Sequence, residues 1–241
     1  MQKVVSVRDN AQEGRPMKSW DPIWEKIFSN RPWGKYPPEE LVRFVANNFY
    51  NVPNRTAVKI LDLGCGPGAC SWYLAREGFS VFGIDGSPTA IHKAKKRLEA
   101  EGLNGDFRVG DFIELPYPNS HFDCVIDIES LYANTFTKSN YVMAEICRVL
   151  KPGGVLFSMT FKDGCHGDGS GKRIEPHTFE EVTEGPLAGR GIIRFSPESA
   201  IHQLYALFDD LNLEYSIRST NNMTHEIAQW VISCRKPLNG D

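Results

Sequence analysis

Between residues 58 and 160, short apolar runs alternate with stretches whose apolar positions recur every three or four residues, the rhythm of strand followed by helix. Val58, Ile60, Leu61 and Leu63 form the first run, closed by Asp62 and a glycine turn, and Ser80-Val-Phe-Gly-Ile-Asp85 forms the second. Asp106–Gly110, Phe122–Ile128 and Val155–Thr160 complete five. Helices are predicted from Ser71, over 88–101 with Ile91, Ala94 and Leu98 inward, and from a Ser139 cap with Val142, Met143, Ile146, Val149 and Leu150 inward. Such alternation predicts a parallel sheet covered by helices on both faces. Upstream, Leu41, Val42, Val45, Ala46 and Phe49 give Glu39–Tyr50 a helical face, Trp20–Phe28 reads as a shorter amphipathic segment, and residues 1–19 read as a mobile polar arm. After Thr160 the period is lost. Phe161–Arg190 is glycine-rich, and thirty residues without an element predict a functional loop above the C-terminal edge of the sheet. Ser196-Pro197 then opens a helix with Ile201, Leu204, Leu207, Phe208 and Leu211 inward. Leu213–Ser219 and His225–Cys234 close the chain as two strands around an Asn221-Asn222 turn.

The chemistry concentrates where strands end. Gly64, Gly66 and Gly68 stand at alternate positions between the first strand and its helix. Glycine permits a sharp turn and close approach of a ligand to the main chain, and the helix N-terminus behind it favours a negative group. The G-x-G-x-G spacing differs from the dinucleotide fingerprint, whose third glycine comes one residue later. Asp85 ends the neighbouring strand, where a carboxylate can accept from both hydroxyls of a ribose. Ser87 and Pro88 then have the residue types of an N-cap and a first helical position.

Leu61-Asp-Leu-Gly-Cys-Gly-Pro-Gly68, Gly83-Ile-Asp-Gly-Ser87, Gly110-Asp-Phe112, Phe122-Asp-Cys-Val-Ile-Asp127 and Arg148-Val-Leu-Lys-Pro-Gly-Gly154 together resemble the ordered motifs of class I S-adenosylmethionine-dependent methyltransferases. The resemblance covers roughly Val58–Thr160, with a tail to Cys234. It implies a doubly wound α/β fold with a seven-stranded, mostly parallel sheet whose seventh strand is inserted antiparallel. It implies S-adenosylmethionine as cofactor and S-adenosylhomocysteine as product. By position it assigns Gly64, Cys65, Gly66 and Gly68 to the methionine portion, Asp62 to its amino group, and Asp85, Gly86 and Ser87 to the ribose side. Asp111 and Phe112 go to the adenine, and Asp127 and Ile128 to the region beneath the sulfonium. Glu129 is the first candidate base, with structural hydrogen bonding or contact with the methionine amine as its other reading. His166 and His177 in the long loop are weaker candidates.

Composition narrows the function without fixing the acceptor. The 241 residues are 41% hydrophobic, enough for one unit running from 1 to 241, with an N-terminal arm and cap over 1–50 and a substrate loop or lid over 161–195. A net charge of −3 gives no sign of a nucleic-acid surface. The six cysteines form no C-x-x-C pair, so no metal site is expected and cytoplasmic thiols fit best. No secretory signal or membrane-length apolar run is present. The Asp127-Ile-Glu-Ser130 run departs from the Asn/Asp-Pro-Pro-aromatic run of methyltransferases acting on DNA bases. The expectation is therefore methyl transfer to an O, N or S atom of a small molecule. A macromolecular acceptor and a non-catalytic cofactor-binding module stay open, as does the oligomeric state. Trp33, Tyr36 and Tyr132 are the candidate acceptor contacts; for Trp33 and Tyr36, packing of the N-terminal extension is the alternative. Trp33–Tyr36 and Phe161–Arg190 are expected to close together over the acceptor.

Overall fold

The structure is a computed structural model, and residues 17–238 are described. Five strands, β1 (Lys59–Leu63), β2 (Ser80–Asp85), β3 (Asp106–Val109), β4 (Phe122–Ile128) and β5 (Leu150–Phe161), run parallel in the order β3-β2-β1-β4-β5. The sheet continues through β10 (His225–Arg235) to the edge strand β9 (Asp209–Thr220). β10 pairs antiparallel with both neighbours, so the last strand in sequence is inserted against the grain, as the resemblance implies. The β1–β2 register sets Asp62 against Gly83, and the β1–β4 register sets Leu63 against Asp127, so the candidate carboxylates gather at one edge.

Helices cover both faces. α2 (Glu39–Phe49), α3 (Ala69–Arg76) and α4 (Pro88–Glu99) pack on one. α5 (Phe136–Val149) and α6 (Glu198–Leu204) pack on the other. α5 alone buries Val142, Met143, Ile146 and Val149 completely, each contributing about 1.5–3 kcal/mol of transfer free energy. α1 (Ile23–Asn30) lies against α4. Its Glu25 carboxylate accepts from Ser87 Oγ, Thr89 Oγ1 and the Thr89 N–H. These bonds hold the Glu25 carboxyl below its ordinary pKa and tie the N-terminal extension to the start of α4.

Three expectations change. Phe161–Arg190 is not a structureless loop: β6 (Lys172–Glu175), β7 (Thr178–Glu180) and β8 (Ile193–Arg194) form an antiparallel sheet. Cys165, Val182, Leu187, Ile193 and Phe195 join Tyr132 and Phe161 in its own small core. α5 begins at Phe136 on a Thr135 cap, three residues before the predicted Ser139 cap, because Ser139 is buried and receives a buried arginine. α6 stops at Leu204, which leaves Leu207 half exposed rather than inward. The predicted polar arm lies partly outside the described residues; its end does not hang free, since Ser19 is buried against Asp111.

Candidate active site

The C-terminal edge of the sheet, α1 and the insertion surround a cleft of about 1100 Å³, its open mouth included. The glycine turn forms its floor. Gly64, Gly66 and Gly68 all have positive φ, at 65°, 50° and 77°. A Cβ on Gly64 would lie 2.4 Å from Ser130 Cβ, so glycine is required for the turn to pass beneath β4. Gly68 serves a different contact. It does not line the cleft; it caps α3, and a Cβ there would lie 2.8 Å from Ala94 Cβ on α4. The third glycine therefore sets helix packing, while the first two shape the floor.

Two buried carboxylates flank the turn. Asp85 accepts from the Gly66 N–H at 3.0 Å and the Ser87 N–H at 2.8 Å, which leaves lone pairs on both oxygens. Asp62 receives the Ser71 hydroxyl at 2.6 Å. Neither has a cationic side chain as an ion-pair partner among the described residues. Burial accordingly pushes Asp62 up to about 7, with Asp85 and Asp127 adding repulsion, and pushes Asp85 up to about 6. Cys65 and Cys70 also line the cleft, and burial raises both thiols well above their ordinary range, so they stand there as neutral apolar groups.

Asp111 and Asp127, both assigned to the cofactor from their positions, do not line the cleft. Asp111 accepts from Ser19 N at 2.8 Å, Trp20 N at 3.1 Å, Ile113 N at 3.1 Å and the Ser19 hydroxyl. These four donors use the acceptor capacity of a carboxylate. Asp127 takes Ser130 N, Leu131 N and the Ser130 and Ser158 hydroxyls, which organise the turn after β4. Gly86 and Ser87 lie behind the wall as well. Ser87 caps α4 through Ala90 N. Gly86 has no side chain because the Trp20 indole occupies that space: a Cβ there would lie 2.0 Å from the ring. Trp20 thus becomes part of the cleft surface, and its Nε1–H is buried without an acceptor.

The remaining lining includes Phe112 and Ile128 and the three candidate acceptor contacts Trp33, Tyr36 and Tyr132. Tyr132 is buried, edge-on to Trp24 and Phe161, whereas Trp33 and Tyr36 stand more exposed. Glu129 lines the cleft in a left-handed conformation, φ 57°, a strained backbone for glutamate that commonly marks functional sites. Its carboxylate accepts from the Gln229 amide, and burial raises its pKa. His166 and His177 are not brought in. His166 stacks on His225 at 3.8 Å beside β10, and His177 occupies the β6–β7 turn. Trp24, Phe28, Asn134 and Arg190 line the cleft without having been singled out. For Trp24 and Phe28 the signal was available: spacing by four places aromatic side chains on one helical side. Asn134 and Arg190 carry no such local mark.

Residues 54–193, more than half of the chain, match the family model described as methyltransferase domain. The chain belongs to that family. It carries a class I methyltransferase domain, the class that takes S-adenosylmethionine as methyl donor. The fatty-acid O-methyltransferase of Mycolicibacterium smegmatis is 29% identical over 141 residues, covering 53% of this chain and 50% of that protein. The phthiotriol/phenolphthiotriol dimycocerosates methyltransferase of Mycobacterium leprae is 37% identical over 173 residues, covering 64% and 63%. Among solved structures, a SAM-dependent methyltransferase from Methanosarcina mazei superposes with a TM-score of 0.64 at 27% identity, covering 75% of this chain and 93% of that one. The chain spans about half the length of the curated relatives it matches. No helix among the described residues is long and apolar enough to cross a membrane.

Proposed function

We propose that the protein is an S-adenosylmethionine-dependent methyltransferase acting on an O, N or S atom of a small molecule. The observation that carries the reading is the pair Asp62 and Asp85: two buried carboxylates without cationic partners, on either side of a glycine turn. A buried charge of this kind is expensive unless a ligand compensates it. Asp62 is suited to an ammonium, Asp85 to the two hydroxyls of a ribose, and Gly64 and Gly66 to a ligand chain lying against the backbone. Trp20 supplies a flat surface for the adenine and an indole N–H for a ring nitrogen or hydroxyl. The four donors on Asp111 hold that tryptophan in place, so Asp111 serves the adenine pocket indirectly.

S-adenosylmethionine, when bound, supplies an electrophilic methyl group on a sulfonium. The protein's part is to hold the acceptor in line and to exclude water. Tyr132, Trp24 and Trp33 provide the wall against which an acceptor can be fixed. Glu129, with its raised pKa, is placed to take a proton from an acceptor that must lose one. In this reading the chain works as one unit, with the N-terminal extension and the 161–195 insertion as opposite sides of the mouth. Gly191 packs against Asp21 and leaves no room for a Cβ, so the two already meet. The two relatives are named for a fatty acid and for phthiotriol dimycocerosates, which supports a small acceptor. All six cysteines are free, which suits the cytoplasm.

Incubation with methyl-labelled S-adenosylmethionine and a fractionated metabolite extract tests the proposal. Label in a small-molecule fraction, with equimolar S-adenosylhomocysteine, is expected. Label confined to protein or nucleic acid would move the acceptor to a macromolecule, and cofactor binding with no label anywhere would leave a binding module. Glu129→Gln separates the roles of that residue: a base loses turnover at least tenfold with unchanged S-adenosylhomocysteine affinity, whereas a cofactor contact loses affinity.

A further inference from the structure

Four acidic residues line the cleft, Asp21, Asp62, Asp85 and Glu129, against one basic residue, Arg190. Arg190 is half-buried, and none of the ion pairs among the described residues involves it. The guanidinium stands 6.0 Å from the Trp33 ring centre, and its charge is felt by Tyr132 and Glu129. The other arginine of this region is the contrast. Arg194 is fully buried and donates to Ser196 Oγ at 3.1 Å, Asn134 O at 2.8 Å, Ser139 Oγ at 2.6 Å and Leu131 O at 3.3 Å. It is a structural pin for the segment after β4. Arg190, four residues earlier, has no such set of acceptors.

A polar atom without a partner belongs to the same lining. Asn134 is 2% exposed, and its side-chain Oδ1 has no hydrogen-bond partner. Arg194 fixes its backbone, so the amide is held in position without being used. An amide presents either N–H to a carboxylate oxygen or C=O to a neighbouring hydroxyl. The same lining carries Trp24, Phe28, Trp33 and Tyr132; Arg190 faces Trp33, Trp33 meets Phe28 edge-on, and Tyr132 meets Trp24 edge-on.

We propose that this part of the cleft recognises an acid: an acceptor with an apolar or aromatic body against the tryptophans and a carboxylate held by Arg190, with Asn134 beside it. A guanidinium binds a carboxylate through two parallel N–H bonds, which fixes orientation as well as charge. The inference rests on the methyltransferase reading and names the acceptor class for it. The carboxylate of the methionine tail is the other source of the same chemistry. The acceptor is favoured because Arg190 comes from the insertion and shares its cleft lining with Tyr132, Asn134 and Trp33, while the cofactor assignments fall on the ends of β1 and β2.

The test uses the full chain saturated with S-adenosylhomocysteine, with benzoate and dodecanoate as probes and benzamide and dodecanol as uncharged counterparts, followed by calorimetry. The acids are expected to bind at least tenfold more tightly than their counterparts. Arg190→Gln should remove that preference and Arg190→Lys should retain part of it, while the S-adenosylhomocysteine Kd changes less than threefold. Equal binding of charged and neutral probes, no binding of either acid, or a preference that survives Arg190→Gln overturns the proposal. So does a tenfold loss of S-adenosylhomocysteine affinity in Arg190→Gln that disappears with an analogue lacking the carboxylate, since Arg190 would then hold the cofactor. Failure of the methyltransferase reading shows separately, as no saturable S-adenosylhomocysteine binding by the wild-type protein. A thermal midpoint for Arg190→Gln within 2 °C of wild type is expected, because the side chain is half-buried and in no ion pair among the described residues; a large fall would make Arg190 structural.

Discussion

Replacing Asp62 by asparagine should stabilise the apoprotein and weaken the cofactor at the same time. Asp62 is 2% exposed, has one hydroxyl partner, and titrates at about 7 in the folded protein. In the unfolded chain an aspartate titrates near 3.9, and three units of difference correspond to about 4 kcal/mol. Between pH 4 and 7 the folded protein keeps a proton on Asp62 that the unfolded chain has released. Stability therefore falls as pH rises through this window and levels off above 7. Asparagine keeps the Ser71 bond but adds an amide N–H without an assigned acceptor, which takes back about 1 kcal/mol. The variant should gain about 3 kcal/mol at pH 8, or roughly 6–12 °C in Tm for a chain of this size, and lose about 1 kcal/mol at pH 4, where only the amide cost remains. Its affinity for S-adenosylhomocysteine should drop roughly 10- to 100-fold at pH 8, the range for a lost hydrogen bond to a charged group. Wild-type affinity should rise from pH 5 to 8 as Asp62 and Asp85 ionise, and the variant's should rise less, through Asp85 alone. Differential scanning fluorimetry across pH and calorimetry at two pH values read both effects. A stability difference that stays flat from pH 4 to 8, or undiminished affinity in the variant, would refute the assignment of Asp62 as a charge kept for a ligand.

Two further substitutions test separate parts of the account. Gly68→Ala puts a Cβ 2.8 Å from Ala94 at a φ of 77°, and should cost about 2–4 kcal/mol of stability by denaturant titration, with cofactor affinity of the folded fraction nearly unchanged. Trp20→Ala removes the surface over Gly86 and should weaken S-adenosylhomocysteine at least tenfold by calorimetry; Trp20→Phe, which keeps a ring but not the N–H, should recover part of that loss.

The sheet was legible because its five parallel strands and three of its covering helices carry strong periodicity, and the cleft floor was legible because a strand, a glycine turn and a helix start are adjacent in sequence. The roles of individual carboxylates were harder to read. Asp62, Asp85, Asp111 and Asp127 all follow apolar runs and look alike there. What separates them is who donates: Ser19 and Trp20 come from ninety residues upstream to occupy Asp111, and Ser130 and Ser158 occupy Asp127. Gly68 shows the same limit, since its contact with Ala94 is set by the packing of two helices. The insertion was missed as structure because its strands are two to four residues long, too short for a period, and β7 finds β8 across fourteen positions. Shortening it between Gly164 and Gly185 would therefore remove Cys165 and Val182 from a core rather than trim a free lid.

Calorimetric titration of S-adenosylhomocysteine and of NAD into the wild-type protein tests the central claim most directly. The two ligands share an adenosine, so the difference between them isolates the methionine side of the cleft. The arrangement of Asp62, the G-x-G-x-G turn and Asp85 predicts saturable one-to-one binding of S-adenosylhomocysteine and at least 100-fold weaker binding of NAD. Tight NAD binding with no response to S-adenosylhomocysteine would contradict it.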